Sequence, residues 1–160
     1  MTTPSPPPTP SLPEGYTLNP GFPSISDYRN LRALSGLSPV TEAQAAPIPT
    51  GSWYGCFITF TPPDTDTTTS TPVAMGRIIG DGGWYFLIAD MAVLPAHQRR
   101  GLGDVVLKHL LGYIKTHAPA GPYVTLFADG PGRRLYAKNG FGEAMPGQMG
   151  MQLPMGWERG

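Results

Sequence analysis

The spacing of apolar and polar residues changes along the chain, and each change marks an element. "YTLNPGFPS" (16–24) has room for a short strand before a turn. In "SISDYRNLRALSGL" (24–37) Tyr28, Leu31 and Leu34 follow helical spacing, Ser24 or Ser26 can cap the start, and Gly36 ends it. "SPVTEAQAAP" (38–47) reads as a second short helix with Pro39 near its start and Pro47 beyond its end. "SWYGCFITF" (52–60) is aromatic and β-branched, hence a strand. The polar "TPPDTDTTTSTP" (61–72) is a hairpin tip, and "VAMGRIIG" (73–80) is the returning strand.

After the turn "DGG", the run "WYFLIADMAVL" (84–94) predicts a central strand buried on both faces. A helix follows from about Leu102 to Thr116, with Leu102, Val105, Val106, Leu110, Tyr113 and Ile114 on one stripe. His109 falls on that stripe and reads as a satisfied core histidine. "GPYVTLFA" (121–128) is another buried strand, and "PGRRLYAKNG" (131–140) a short helix opened by Pro131 and closed at Asn139-Gly140. "FGEAMPGQMGMQLP" (141–154) can supply one or two closing strands. Helices and a hairpin, then strand–helix–strand–helix–strand, give an α/β sandwich around one mixed sheet.

Composition narrows the function. Residues 1–13 are mostly Pro, Ser and Thr and predict a disordered tail. Lys plus Arg and Asp plus Glu both number 11, so no global charge draws the chain to nucleic acid or to an acidic membrane surface. No stretch approaches the ~20 apolar residues of a membrane span. The start of the chain lacks the basic and apolar regions of a signal peptide. With Cys56 as the one cysteine, no intramolecular disulfide forms, and three scattered histidines make a poor metal site, so no metal is expected. A cytoplasmic protein is the expectation.

The chemistry concentrates in "LPAHQRRGLGD" (94–104), between the long apolar strand and the helix. A helix start gathers unpaired N–H groups and the positive end of the macrodipole. Gly101 and Gly103 let an oxyanion approach the backbone, and the planar forks of Arg99 and Arg100 suit phosphate oxygens. These features point to a diphosphate site. No Gly-Lys-Ser/Thr follows, so it is no Walker loop, and Val106 spoils a dinucleotide fingerprint.

"MAVLPAHQRRGLGDVVLKHLL" resembles the acetyl-CoA motif of the GNAT superfamily of N-acetyltransferases, and "LYAKNGF" resembles that superfamily's downstream element. With "AMGRIIGDGG" and "TLFAD" the similarity spans about residues 25–154, nearest to the branch containing plastid-type serotonin N-acetyltransferases. The resemblance implies a GNAT-like three-layer sandwich, a mostly antiparallel sheet with splayed central strands and helices on both faces, formed by a single domain over 14–160. It implies acetyl-CoA as cofactor, with Gln98, Arg99, Arg100, Gly101, Leu102, Gly103 and Asp104 holding the pyrophosphate. Pantetheine would pair with Met91, Ala92 and Val93, where one N–H polarises the thioester carbonyl, and Tyr136 and Lys138 would complete the cofactor site. Tyr136 is then the acid for the leaving sulfur, and Asp129 the base or amine anchor; packing and helix capping are the competing roles.

Amine contacts are expected from Tyr28, Leu31, Trp84, Tyr85, Phe86, Arg77, Asp90 and Asp129, with Asp90 either lining that site or pairing with Arg77. The implied reaction is acetyl transfer to the primary amine of a small molecule, an arylalkylamine, amino sugar or polyamine, in a ternary complex. Acetylation of a protein or peptide, or CoA binding without catalysis, are the alternatives. A homodimer is a further expectation.

Overall fold

The computed structural model describes residues 10–64, 66 and 68–155. The tail expected over residues 1–13 lies outside the described residues up to residue 9, and 10–13 carry no helix or strand. The chain divides into two compact units between Leu126 and Phe127.

The first unit is built on a five-stranded sheet. Its strands are β1 (Tyr16–Pro20), β2 (Tyr54–Phe60), β3 (Thr71–Gly80), β4 (Tyr85–Val93) and β5 (Tyr123–Leu126), in that spatial order. The first three pairings are antiparallel and β4–β5 is parallel. Sequential antiparallel neighbours need only tight turns, and the β3–β4 turn shows how one is fixed. Asp81 Oδ1 accepts from the backbone N–H groups of Gly83, Trp84 and Tyr85, and these bonds pull the Asp81 carboxyl below its ordinary range. The parallel step needs a crossover, which α4 (Leu102–His117) supplies.

Helices cover both faces. α1 (Ile25–Leu34) is capped by Ser24, whose side chain accepts from Asp27 N. Its buried Tyr28 and Leu31 pack with Ala45, Met75 and Ala92. Leu34 is 63% exposed, so the expected apolar stripe is one turn shorter. α2 (Glu42–Ala45) starts later than Pro39, because Thr41 and Gln44 form a reciprocal capping box. A third short helix, α3 (Ile48–Gly51), follows Pro47, which starts a helix rather than only ending one.

Met75 packs toward α1, and its neighbour Gly76 faces the opposite way, as strand alternation requires. A Cβ on Gly76 would come within 2.7 Å of Val106 Cγ1 and 3.0 Å of Leu110 Cδ1, so the missing side chain lets α4 approach the sheet. Leu102, Val105, Val106, Leu107, Leu110 and Ile114 are buried, as their stripe predicts. Among the described residues, no helix is long and apolar enough to cross a membrane.

The second unit holds α5 (Arg133–Lys138), which ends before Gly140 at φ 92°. The strands expected over 141–154 do not form among the described residues. Met149, Met151 and Leu153 alternate as a strand would, but no described strand pairs with them, and an unpaired strand is not stable alone.

Burial holds the imidazoles of His97 and His109 below their ordinary pKa, and the Arg100 charge adds to the effect at His97. The unfolded chain therefore takes up protons near pH ~6.5 that the folded chain refuses, so stability rises with pH through this range. The thermal unfolding midpoint is expected to fall as pH drops from about 7 to 5. His109→Gln should flatten part of that slope, and a flat wild-type profile would contradict the assignment.

Candidate active site

The backbone of β4 sets the site. Trp84 O accepts from Tyr123 N at 2.7 Å, so Trp84 faces β5. Tyr85 O accepts from Asp81 N at 3.3 Å and faces β3. Facing alternates along a strand, so Leu87 and Ala89 also turn to β3. Counting back from the other end, Leu94 N donates to Val73 O at 2.9 Å, so Leu94 and Ala92 face β3 too. The two counts agree only if one extra residue lies between Ala89 and Ala92. The register shows it: Ala92 is opposite Met75 and Ala89 opposite Arg77, which leaves Asp90 and Met91 together facing Gly76. This is a β-bulge, with Asp90 at φ 56° in the left-handed region.

The bulge turns the Met91 and Val93 amides to the β5 side. There the pairing has already stopped at Ile88–Leu126, and no described strand takes residues 89–93. The central-strand opening expected at Met91, Ala92 and Val93 thus has a backbone cause. Gln98 Nε2 donates to Val93 O at 3.1 Å and ties this stretch to the following loop.

The Asp90 side chain is pinned from two elements. Oδ1 accepts from Arg32 Nη1 at 2.5 Å, and Oδ2 accepts from Tyr28 OH at 2.6 Å and from Arg77 Nε at 2.5 Å. Arg77 Nη1 also donates to Ser52 Oγ at 3.0 Å. All three charged side chains are 16% exposed or less. Burial, then the bond to Asp90, pushes the Tyr28 phenol up to about 12, so it stays a donor.

This geometry revises the expected amine contacts. Arg77 and Asp90 engage each other, the structural alternative for that pair. Leu31 is closed into the core, and Phe86 is fully buried with its ring 4.7 Å from Trp53. Trp84 and Tyr85 are about half exposed, but they stand at the start of β4. Six residues separate Tyr85 from Met91, about 20 Å of strand, so the aromatic pair and the bulge occupy opposite ends. Arg32 was absent from the expected set. Its position one turn after Tyr28 on α1 was the available signal.

After β4, a 3₁₀ turn (Pro95–His97) leads into the arginine-glycine loop. His97 Nδ1 and Tyr16 OH are hydrogen-bonded at 2.7 Å, which fastens the turn to β1. Arg99 has φ 61° and Gly101 φ 78°, with Arg100 between them outside that region. Alternation of this kind turns successive N–H groups toward one side, as in anion-binding nests. Gly101 is the N-cap of α4 and supplies no capping side chain, and nothing lies within 4 Å of where its Cβ would be. Leu102 is buried at the helix start, beside Gly103. Asp104, the acid of the first turn, is drawn aside by Lys108 Nζ at 2.7 Å. Exposed Arg99 and Arg100 flank the opening. An uncapped helix start, an open backbone and two guanidinium groups fit a diphosphate.

In the second unit, Asp129 Oδ1 accepts from Gly132 N at 2.8 Å and so fixes the turn into α5. A Cβ on Gly132 would lie 2.8 Å from Asp129 Oδ1 and 2.8 Å from Tyr136 Cε2, so the carboxylate and the phenol ring crowd the same glycine. Burial, then the Asp129 charge, raises the Tyr136 phenol. Lys138 is exposed in the last turn of α5.

Comparison with known proteins gives this arrangement a family context. The model of the acetyltransferase (GNAT) domain matches residues 65–143. A probable acetyltransferase of unknown function from meticillin-resistant Staphylococcus aureus is 32% identical, with 87% of this chain and 98% of that chain covered and a TM-score of 0.77. The ribosomal-protein-S18-alanine N-acetyltransferase of Escherichia coli shares the fold at 18% identity and a TM-score of 0.62, over 81% of this chain and 79% of that one. Glucosamine-6-phosphate N-acetyltransferase from Arabidopsis thaliana does so at 19% identity and 0.60, over 88% of this chain and all of that one. A search of curated protein sequences finds no match.

Replacing both Arg99 and Arg100 by Ala is expected to weaken coenzyme A binding by about tenfold or more, the scale of removing one or two charge-assisted hydrogen bonds. Titration calorimetry checks this, and an unchanged dissociation constant would remove the loop from the site. Thermal stability should stay near wild type, since both arginines are exposed.

Proposed function

Because the chain belongs to the GNAT superfamily of acetyltransferases, we propose that it transfers acetyl from acetyl-CoA to the primary amine of a small molecule, of the arylalkylamine, amino-sugar or polyamine kind. One observation carries the reading. The bulged amides of β4 face the side where β5 pairing has ended, and the same strand runs on into an uncapped, cationic helix start. Backbone donors for a thioester and a corner for its diphosphate therefore belong to one continuous segment, Met91 to Asp104. Acetyl-CoA, when bound, supplies an acetyl thioester whose C–S bond breaks as the amine forms a C–N bond.

The chain's own residues handle the protons. The amine loses one on attack, and the leaving thiolate gains one. Asp129 is the base or the amine anchor. Its one bond from Gly132 N occupies Oδ1, and an exposed carboxylate has further acceptor capacity. Tyr136 is the acid: its raised pKa keeps the phenolic proton in place at neutral pH. Met91, Ala92 and Val93 hold and polarise the acyl group, and Gln98 to Asp104 hold the pyrophosphate, with Lys138 a further cofactor contact.

Trp84, Tyr85 and Phe86 lie at the far end of β4, and Tyr28 is buried with its hydroxyl engaged by Asp90. The serotonin-type branch therefore rests on "LFAD" and "LYAKNGF" rather than on a pocket of aromatics. A cytoplasmic homodimer belongs to the same reading. Exposed Met149, Met151 and Leu153, alternating along an unpaired segment, support an association surface in the second unit.

Thiol release from acetyl-CoA with a panel of tryptamine-like amines, amino sugars and polyamines tests the proposal, with N-terminal peptides as the competing arm. Turnover on peptides alone, or CoA binding without turnover, would overturn it. Asp129→Asn and Tyr136→Phe are each expected to lower kcat by about 100-fold, within the usual range for a general acid or base. Coenzyme A affinity should be unchanged in both, and wild-type rates would cancel the assigned roles.

The assay has a built-in control. Cys56 is buried and burial pushes its thiol up to about 12. The native protein should therefore give no thiol signal until it unfolds. A rapid signal from protein alone would contradict the packing of β2.

A further inference from the structure

Asp90 lies at the left-handed position of a bulge, where a non-glycine residue costs about 1–2 kcal/mol. Nothing in a strand supplies that energy, so another contact must. The carboxylate receives three donors, Tyr28 and Arg32 from α1 and Arg77 from β3. Arg77 is anchored in turn on Ser52, and Arg32 Nε donates to Ser38 O at 2.8 Å. The kink is thus bolted to elements on one face of the sheet, while the amides it redirects, those of Met91 and Val93, face along the sheet to the β5 side.

From this geometry we infer that Asp90, Arg32, Arg77 and Tyr28 form a positioning device that holds the β4 bulge in register, so that the Met91 N–H stays aimed as an oxyanion donor. Asp90 is then a positioning residue and not the base: each of its oxygens is already engaged. The catalytic half of this inference rests on the acetyl-transfer reading above; the structural half does not. Slippage of the extra residue would reverse the facing of every amide beyond it. Loss of the node would therefore remove transition-state stabilisation while leaving the pyrophosphate loop, eight or more residues further on, intact.

The test has two arms on the full chain. In the first, amide hydrogen exchange is measured without any ligand. Asp90→Ala should speed exchange of the β4 amides over 89–93 by tenfold or more relative to the α4 amides. Unchanged exchange would overturn the device whatever the protein catalyses. In the second arm, Asp90→Ala should lower kcat by about 100-fold, the scale of losing one oxyanion donor. The KM for acetyl-CoA should stay within about threefold, because binding at the loop is untouched. Asp90→Gly, which accepts a positive φ without the carboxylate, should recover part of that loss. Equal kcat in wild type and Asp90→Ala would overturn the inference.

If Asp90→Ala fails to fold with two guanidinium groups left unpaired, Tyr28→Phe removes one hydroxyl and keeps the core volume. It should show the same split between kcat and KM at about tenfold, one hydrogen bond to a charged group. An unchanged kcat in Tyr28→Phe would equally overturn the role of the node. Wild type without acetyl transfer to any acceptor would remove the proposed function, and the exchange arm would still decide whether the node holds the bulge.

Discussion

An extra residue in one strand of a pair reverses which edge its later amides serve, and the organisation of this molecule follows from that. β4 must satisfy β3 along its whole length. It satisfies β5 only from Tyr85 to Ile88. Without the bulge, the odd residues beyond Ala89 would continue to face β3, and the Met91 and Val93 amides would be spent inside the sheet. With it, they face the side on which no described strand follows. The left-handed φ at Asp90 costs about 1–2 kcal/mol. Hydrogen bonds to a charged carboxylate are worth about 1.5–3 kcal/mol each, so three of them outweigh the strain. The same node makes the arrangement intolerant of partial loss, since removing the carboxylate leaves two nearly buried cations uncompensated.

The segment after the bulge shows the complementary device. β4 ends, a 3₁₀ turn reverses the chain, and α4 begins without a capping side chain. Helices normally cover their first N–H groups with a Ser, Thr, Asp or Asn oxygen. α1 does so with Ser24, and α2 does so with Thr41. α4 starts on Gly101 instead, and Asp104 is held by Lys108. α3 and α5 also start without a side-chain cap, so what sets α4 apart is an open Gly101 backbone beside two exposed arginines, and that local pairing suits an external anion. It also explains how a chain of zero net charge can hold a cationic corner: the charge is placed locally, and two exposed arginines suffice.

Strands and the long helix were legible because their periods are local. The apolar stripe from Leu102 to Ile114 and the run from Tyr85 to Val93 form elements wherever their neighbours sit. The Gly101 corner was legible for the same reason, since a side-chain-free N-cap directly after two arginines is written in adjacent letters. The bulge was not, because it is a mismatch between two strands and no single strand records it; the lone acid in "FLIADMAV" was its one trace. Arg32 left only its spacing after Tyr28 as a signal. On a helix it reads as part of a solvated face, and only the docking of α1 brings it to Asp90. A sequence shows that a strand exists but not which of its ends carries a bulge, and Trp84 and Tyr85 stand at the other end of β4. Open α/β sheets bind at the carboxyl ends of strands, and that is the end of β4 that carries the bulge. The closing strands failed for a related reason: alternation from Met149 to Leu153 specifies a face, and a strand needs a paired edge as well.

The charge balance around Asp90 bears on the acceptor side. Two guanidinium groups against one carboxylate leave a net charge of +1 in that cluster. A cationic amine gains nothing by approaching it, and neither Asp90 oxygen lacks a donor. In the proposed reaction, a residue that receives the amine would therefore lie elsewhere, with acceptor capacity to spare and contact with water. Asp129 meets both conditions, since it gives one oxygen to the Gly132 turn and is exposed. Under the proposed acetyl transfer, the two aspartates would divide two tasks that a single carboxylate could not combine. Asp90 is immobilised by cations, and Asp129, exposed with acceptor capacity to spare, would be the one to exchange a proton.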